Sequence, residues 1–143
     1  NVRPTEICGK LGNLQIKNLD KDISIRQKNF YLFSNSINKN KDLLPLKIRH
    51  MNKISNFAFP VICKTKKYFN ILTNKFKKYK IEIRPIISGN ILRQPFIKKY
   101  SNQDYKLLTY SNYLHEKAFY FPNNPELNKS EIKRICLILE KKY

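Results

Sequence analysis

The first 37 residues carry the pattern that most limits what this chain can fold into. Apolar side chains recur there at steps of mostly three or four positions, the spacing of one helical face. They are Ile7, Leu11, Leu14, Leu19, Ile23, Phe30, Phe33 and Ile37. Pro4 suits a helix entrance and Thr5 can cap it, so we expect one helix from residue 5 to about residue 37. Gly9 and Gly12 lie one turn apart in it, and indicate either close packing by another group or a locally weak helix.

The residues that follow predict alternating strands and helices. Pro60 lies inside the first predicted strand and favours an edge position or a bulge, because proline cannot donate a ladder hydrogen bond. A long helix followed by β-α-β-α-β-α predicts an α+β fold, with a small three-stranded sheet backed by helices. The predicted strands are residues 56–64, 81–85 and 118–121, and the predicted helices are residues 66–79, 103–116 and 130–143.

The charge balance raises a different class of function. The 143 residues include 29 Lys and Arg against 10 Asp and Glu, a formal net charge of +19. Such an excess is typical of proteins that bind polyanions. The basic residues are mostly lysine and are dispersed, however, and Lys, Asn, Ile, Tyr and Phe all share adenine- and thymine-rich codons. Nucleic-acid surfaces rely on arginine for bidentate contacts, so a non-enzymatic basic module that binds nucleic acid remains the alternative and is not favoured.

Cysteine spacing and hydropathy indicate a compartment. The three cysteines are Cys8, Cys63 and Cys136, and their spacing fits neither a metal site nor a disulfide framework. We expect buried thiols in a reducing, cytoplasmic environment. No run of 18 apolar residues occurs, so we expect no membrane span. The chain begins at asparagine without a charged-then-apolar leader, and we expect it to be a piece of something longer.

The common chemical motifs are missing from this sequence. It has no glycine-rich phosphate loop and no H-E-x-x-H zinc motif. His50 and His115 lie far apart without a paired acid, which favours structural or surface roles. We therefore expect no catalytic residue and no metal site within this chain.

Three longer stretches are far more specific than any single motif. Residues 1–29 contain N-x-R-x-T-E-I, then G-x-x-Q-I-x-x-L-D and R-x-x-N; residues 83–96 contain R-P-x-x-x-G-N-x-x-x-Q-P; residues 114–127 read LHEKAFYFPNNPEL. In this order and spacing they resemble the C-terminal part of the DegT/DnrJ/EryC1/StrS family. The resemblance covers nearly the whole chain. It implies the small domain of a type I fold, that of aspartate aminotransferase, in an enzyme that uses pyridoxal or pyridoxamine phosphate.

The second stretch is similar to the branch of that family that acts on 4-keto-6-deoxy sugars, including the 3-dehydratases. The resemblance implies that the parent protein is an aminotransferase or a 3-dehydratase acting on a nucleotide-linked sugar. It further implies a homodimer and a role in deoxysugar or surface-polysaccharide biosynthesis.

The resemblance also implies what this chain lacks. In the family, the lysine that binds the cofactor, or the histidine that replaces it in dehydratases, lies upstream of the matching segment. We therefore expect residues 1–42 to form the helix leading out of a missing large domain, and residues 43–143 to form the C-terminal small domain. The chain alone is expected to be inactive.

Six residues match positions that the family uses for binding. The resemblance assigns Asn1 and Arg3 to the cofactor phosphate or substrate of a neighbouring subunit, and frayed ends are the alternative for them. Arg84 and Arg93 are candidates for the substrate phosphates, with a surface ion pair as the alternative for Arg84. Asn90 and Gln94 can offer amides to sugar hydroxyls, or bond within their own loop.

Overall fold

The N-terminal apolar stripe forms two helices joined by a tight turn. A computed structural model describes residues 3–141, with α1 at Glu6–Gln15, a 3₁₀ turn at Ile16–Asn18 and α2 at Leu19–Asn38. Thr5 caps α1, and its side chain accepts a hydrogen bond from the Cys8 amide. The predicted long helix is confirmed, and it contains a 3₁₀ segment at whose end Asn18 adopts φ −100° and ψ −4°.

The two halves of the stripe have different surroundings. In α2, Phe30, Phe33 and Ile37 are buried. In α1 no residue is buried, and Ile7 and Leu11 are 72% and 53% exposed. Nothing lies within 4 Å of the Cβ that Gly9 or Gly12 would carry, so no part of residues 3–141 packs closely on them. Within these residues no helix is long and apolar enough to cross a bilayer.

The sheet is a three-stranded antiparallel layer. Its strands are β1 (Ala58–Ile62), β2 (Arg84–Pro85) and β3 (Ala118–Pro122), in the order β1-β3-β2. Pro60 faces Tyr120 on β3. On the other side of this strand, residues 3–141 provide only a single bridge, between Leu43 and Cys63. Of the two alternatives for the proline, an edge or a bulge, the strand order shows the edge.

Three further α-helices follow along the described chain: α3 (Lys66–Lys78), α4 (Thr109–Lys117) and α5 (Lys129–Glu140). Asn128 begins α5 with a full capping box, in which its side chain accepts from the Glu131 amide and the Glu131 carboxylate accepts from the Asn128 amide. The predicted helix at 103–116 is too long at its start, where the chain instead makes a 3₁₀ turn at Tyr105–Leu107.

Aromatic rings fill the space between the helices and the sheet. Phe59 and Phe121 lie side by side on β1 and β3, with ring centroids 5.4 Å apart. Phe33 of α2 packs edge-on to both rings, and Phe76 of α3 contacts Phe121. Burying one phenylalanine side chain completely stabilises the folded state by about 1.5–3 kcal/mol relative to leaving it exposed. Because Phe33 shares this core with Phe59, the core does not divide at residue 42, and the two-part division of the chain stays a prediction.

A buried amide closes the C-terminal end of α5. Asn40 is 2% exposed, and its Nδ2 donates to the Leu139 carbonyl at 2.6 Å and to the Tyr68 hydroxyl at 2.7 Å. The Tyr68 hydroxyl donates in turn to the Lys141 carbonyl at 2.8 Å. The last carbonyls of a helix have no partner within the helix, so these two side chains satisfy groups that burial would otherwise leave unpaired.

The exposed stripe of α1 predicts self-association of the chain despite its +19 charge. Replacing Leu11 and Leu14 by serine should lower the apparent mass measured by light scattering, because it removes apolar surface that only association can cover. Leu137→Ser is the matched control, since Leu137 is an isolated exposed leucine on another helix. A monodisperse monomer of the unmodified chain at high concentration and moderate salt would contradict this prediction.

Candidate functional site

The connection between β2 and α4 holds most of the residues that the sequence assigns to substrate binding. After Pro85 the chain passes through two left-handed residues, Ser88 at φ 62° and Gly89 at φ 50°. It then forms two short 3₁₀ turns, at Ile91–Arg93 and Pro95–Lys99. We refer to residues 86–96 as the recognition loop.

Asn90 organises this loop from inside. It is fully buried, and its Nδ2 donates to the Tyr105 carbonyl at 2.8 Å. Its Oδ1 accepts from the Leu92 amide at 3.1 Å and so caps the first 3₁₀ turn. Both ends of the side-chain amide are therefore used within the protein, which is the second of the two roles that the sequence left open. Contact with a sugar would require these bonds to be exchanged.

His115 of α4 packs against the same turn. The Asn90 backbone N–H donates to His115 Nδ1 at 3.3 Å. A Cβ on Gly89 would lie 2.5 Å from that nitrogen, closer than real contacts allow. A glycine is therefore needed at position 89 for two reasons. The backbone there is left-handed, and the imidazole leaves no room for a Cβ.

Arg93 lies on the outer side of the loop in a partly shielded position. One terminal nitrogen of its guanidinium lies 2.9 Å from Glu116 Oε1, and its Cζ lies 4.6 Å from the centre of the Tyr105 ring. The arginine side chain is 26% exposed. It is thus held in one orientation by a carboxylate and an aromatic face, while part of it still meets solvent.

Arg84 and Gln94 are less constrained. Arg84 Nε lies 2.8 Å from Glu82 Oε1, and 64% of the arginine side chain is exposed. This is the surface ion pair that the sequence left open as the alternative for Arg84. The pKa of Arg84 is raised above its ordinary value, mainly by the hydrogen bond to Glu82. Gln94 makes one long bond, from Nε2 to the Ser88 carbonyl at 3.4 Å. Both side chains have polar groups available to a ligand.

A groove of about 290 Å³ runs beside the recognition loop between α3, β2 and α4. Arg84, His115, Thr73 and Lys77 line it together with apolar side chains of the core. Arg84 therefore lies in this groove, and His115 both lines the groove and contacts the recognition loop. Cationic and hydrogen-bonding groups over an apolar floor suit a ligand with an anionic end.

The cofactor residues cannot be placed as a site in this chain. Asn1 lies outside the described residues. Arg3 is exposed ahead of α1, and every lysine from residue 3 to residue 141 is exposed or half-buried rather than enclosed. The residues present therefore do not form a complete pocket for pyridoxal phosphate. Nor does this part of the chain hold a cluster of three or more metal-ligating side chains.

The cysteines differ from one another. Cys63 is buried, and burial raises the pKa of its thiol to about 12. Cys136 is half-buried, whereas Cys8 is exposed and accepts a hydrogen bond from Thr5 that lowers the pKa of its thiol. The expectation of three buried thiols is wrong at Cys8, because the α1 surface that carries it packs on nothing in this part of the protein.

Comparison with known proteins decides the family. The model of the DegT/DnrJ/EryC1/StrS aminotransferase family matches residues 1–140. The chain belongs to that family. The family match extends over the recognition loop, α4 and the exposed helix α1 alike.

Individual members of the family are similar over most of this chain. A GDP-4-keto-6-deoxy-D-mannose 3-dehydratase of Yersinia pseudotuberculosis is 31% identical over 147 residues, which cover 99% of this chain and 36% of that protein. The Escherichia coli GDP-4-keto-6-deoxy-D-mannose-3-dehydratase with bound hydrated pyridoxal phosphate superposes with a TM-score of 0.79 at 27% identity, over 97% of this chain and 36% of that one. A histidine-to-asparagine variant of such a dehydratase, with bound GDP-perosamine, superposes with a TM-score of 0.80 at 27% identity, over the same shares of the two chains. The chain spans 26% to 36% of the length of the curated relatives it matches.

Sequence reasoning missed the supports of the recognition loop. Tyr105, His115 and Glu116 all contact it, and none was assigned a role there. One signal was present, since His115 and Glu116 lie in the third of the three signature stretches. Sequence alone does not show that residues 25 positions apart meet, so the pairing required the tertiary structure.

Gly89→Ala should loosen the recognition loop. The left-handed backbone costs an alanine about 1–2 kcal/mol, and its Cβ must also displace His115. Trypsin should then cleave faster after Arg93, Lys98 and Lys99, as followed by mass spectrometry. Gly12→Ala is the matched control and should leave the cleavage rate unchanged, because its Cβ meets open space in a helix. Equal cleavage rates in the two variants would show that the loop does not depend on this contact.

Proposed function

We propose that this chain is the C-terminal part of an enzyme that uses pyridoxal or pyridoxamine phosphate to modify a nucleotide-linked 4-keto-6-deoxy sugar. The observation that carries the proposal is 31% identity over 99% of the chain with a protein named as a GDP-4-keto-6-deoxy-D-mannose 3-dehydratase. That similarity favours removal of the C3 oxygen over amino transfer to the keto carbon. The wider role would be deoxysugar and surface-polysaccharide biosynthesis in the cytoplasm.

The domain division belongs to the same proposal. The segments shared with this chain make up 26% and 36% of the two curated relatives. Residues 1–42 would lead out of the large domain that carries the cofactor, and residues 43–143 would form the small domain. The exposed apolar face of α1 supports this arrangement, because a face of that size is normally covered in a folded protein.

The recognition loop would bind the sugar nucleotide from the small-domain side. Arg93 and Arg84 would meet phosphate oxygens, for which a guanidinium held in place is well suited. Gln94 would reach sugar hydroxyls with the amide that now makes a long bond to Ser88. Asn90, being fully buried, would act by holding the loop in shape rather than by touching the sugar.

The cofactor supplies an electron sink for bonds next to the keto carbon. In the homodimer that the family resemblance implies, Asn1 and Arg3 would extend to the neighbouring subunit's cofactor phosphate or substrate. The exposed position of Arg3 ahead of α1 leaves its guanidinium available for such a contact.

The proposal is tested with the parent enzyme, its upstream region restored. With pyridoxamine phosphate, glutamate and GDP-4-keto-6-deoxymannose, mass spectrometry should show a product lacking one oxygen. A product in which an amino group replaces the keto oxygen would instead establish amino transfer. If neither product forms and the protein instead binds nucleic acid tightly and in a salt-sensitive way, the basic-module alternative is favoured.

Asn90→Ala in the parent should lower kcat/KM for the sugar nucleotide while cofactor binding is nearly unchanged. Leaving the part-buried Tyr105 carbonyl and Leu92 amide without their Asn90 partner should lower kcat/KM about 2- to 150-fold. Replacing the exposed Lys67, Lys78 and Lys133 by serine is the control, and it should change kcat/KM little because exposed charges are screened by salt. Loss of function in the lysine variant with none in the loop variant would overturn the assignment of the loop.

The chain by itself should bind pyridoxal phosphate no better than a lysine-rich control protein. Among residues 3–141 every lysine is exposed or half-buried and no complete cofactor pocket is present, so only scattered adducts should form. Absorbance in the visible range and peptide mapping measure this. A stoichiometric adduct on a single lysine would contradict the prediction.

A further inference from the structure

His115 lies where α4 meets the recognition loop. We propose that His115 is a positioning residue, whose Nδ1 acceptor holds the Gly89–Asn90 backbone so that Arg93 and Gln94 are presented to the sugar nucleotide. The role in presenting these side chains rests on the function proposed above. The tether itself stands on the geometry of the loop alone.

The hydrogen bond defines which form of the imidazole does this. The Asn90 N–H is the donor and His115 Nδ1 the acceptor, at 3.3 Å. A nitrogen that accepts a hydrogen bond cannot carry a proton, so this bond requires the form of the ring in which Nδ1 is unprotonated. Since Nδ1 is occupied by a backbone amide, the ring acts on the loop and not as a proton carrier through that atom.

The loop is built to receive the ring. Gly89 has no side chain, and any Cβ there would lie 2.5 Å from Nδ1. Its φ of 50° turns the chain back over α4 directly before the amide that donates. The close approach and the hydrogen bond therefore occur at the same point of the backbone.

The neighbouring residue of α4 holds the other end of the loop. Glu116 pairs with Arg93 at 2.9 Å, and Tyr105 both accepts from Asn90 and lies under the Arg93 guanidinium. His115 and Glu116 thus hold the loop at two points, one of backbone and one of side chain. Losing the first point would free the turn from which Arg93 and Gln94 project.

The end of α4 that carries this pair is itself anchored. Lys66 Nζ donates to the Glu116 carbonyl at 2.7 Å. The Tyr113 hydroxyl lies 2.9 Å from the Cys63 carbonyl and 3.1 Å from the Lys64 carbonyl, at the junction of β1 and α3. His115 is therefore fixed relative to the sheet, and it can transmit that position to the loop.

Two isosteric variants of the parent enzyme test the proposal. In His115→Asn the side-chain oxygen lies near the place of Nδ1 and can accept from Asn90, whereas in His115→Gln the polar end lies near the place of Nε2. We expect His115→Gln to raise KM for GDP-4-keto-6-deoxymannose about three- to tenfold with little change in kcat, because one neutral hydrogen bond is lost. We expect His115→Asn to stay close to the unmodified enzyme.

Hydrogen exchange supplies a readout that does not depend on catalysis. Amides 89–93 should exchange faster in His115→Gln than in His115→Asn, while the amides of α5 should be unchanged in both. Melting temperatures identify a variant that fails to fold, and in that case Gly89→Ala, which displaces the ring without removing it, takes its place.

The outcomes separate the two proposals. Unchanged KM and unchanged exchange in His115→Gln would overturn the positioning role, as would equal impairment of the asparagine and glutamine variants in both measurements. Faster exchange of the loop without any change in KM would support the tether but overturn the assignment of the loop to substrate binding. Faster exchange with raised KM in the glutamine variant alone would support both.

Discussion

The contact between Phe59 and Phe121 is the interaction on which the rest of the structure depends. The two residues are register partners on β1 and β3, and neither is exposed to solvent. Helix α2 reaches them through Phe33, and helix α3 reaches Phe121 through Phe76. A small sheet whose β2 has only two residues gains little from its own ladder. The sheet is therefore stabilised mainly by burial of aromatic rings between it and the helices.

The position of the recognition loop follows from this core through the ends of two strands. Strand β3 begins at Ala118, directly after α4, so the end of the helix that carries His115 and Glu116 is joined to the packed sheet. Strand β2 pairs with β3 in the register Pro85 to Phe119, which brings the start of the loop alongside the same point. The binding role that we propose for this loop would need such rigid neighbours, because an unsupported loop would lose entropy each time it bound a ligand.

Helices α1 and α2 show what the spacing of apolar residues can and cannot predict. The spacing of apolar residues predicted both α1 and the buried face of α2, because a helix of either kind produces the same repeat. It could not separate them into an exposed half and a buried half. Whether Leu14 or Phe33 is covered depends on which surface lies opposite, and for Leu14 no such surface exists among residues 3–141.

The sequence by itself determined the element order and the family, and it limited Pro60 to an edge or a bulge, because each rests on local spacing or on residues that stand in a fixed order. It also identified Arg84 and the loop after it, which carries Asn90, Arg93 and Gln94. Only the tertiary structure decided what those residues do within the fold. Asn90 is bonded inside and Arg93 is held against Glu116 because the turn at Gly89 folds back on α4. A hydroxyl, an amide or a guanidinium can bond to whatever lies near it, and which group lies near is set by packing between segments far apart in the chain.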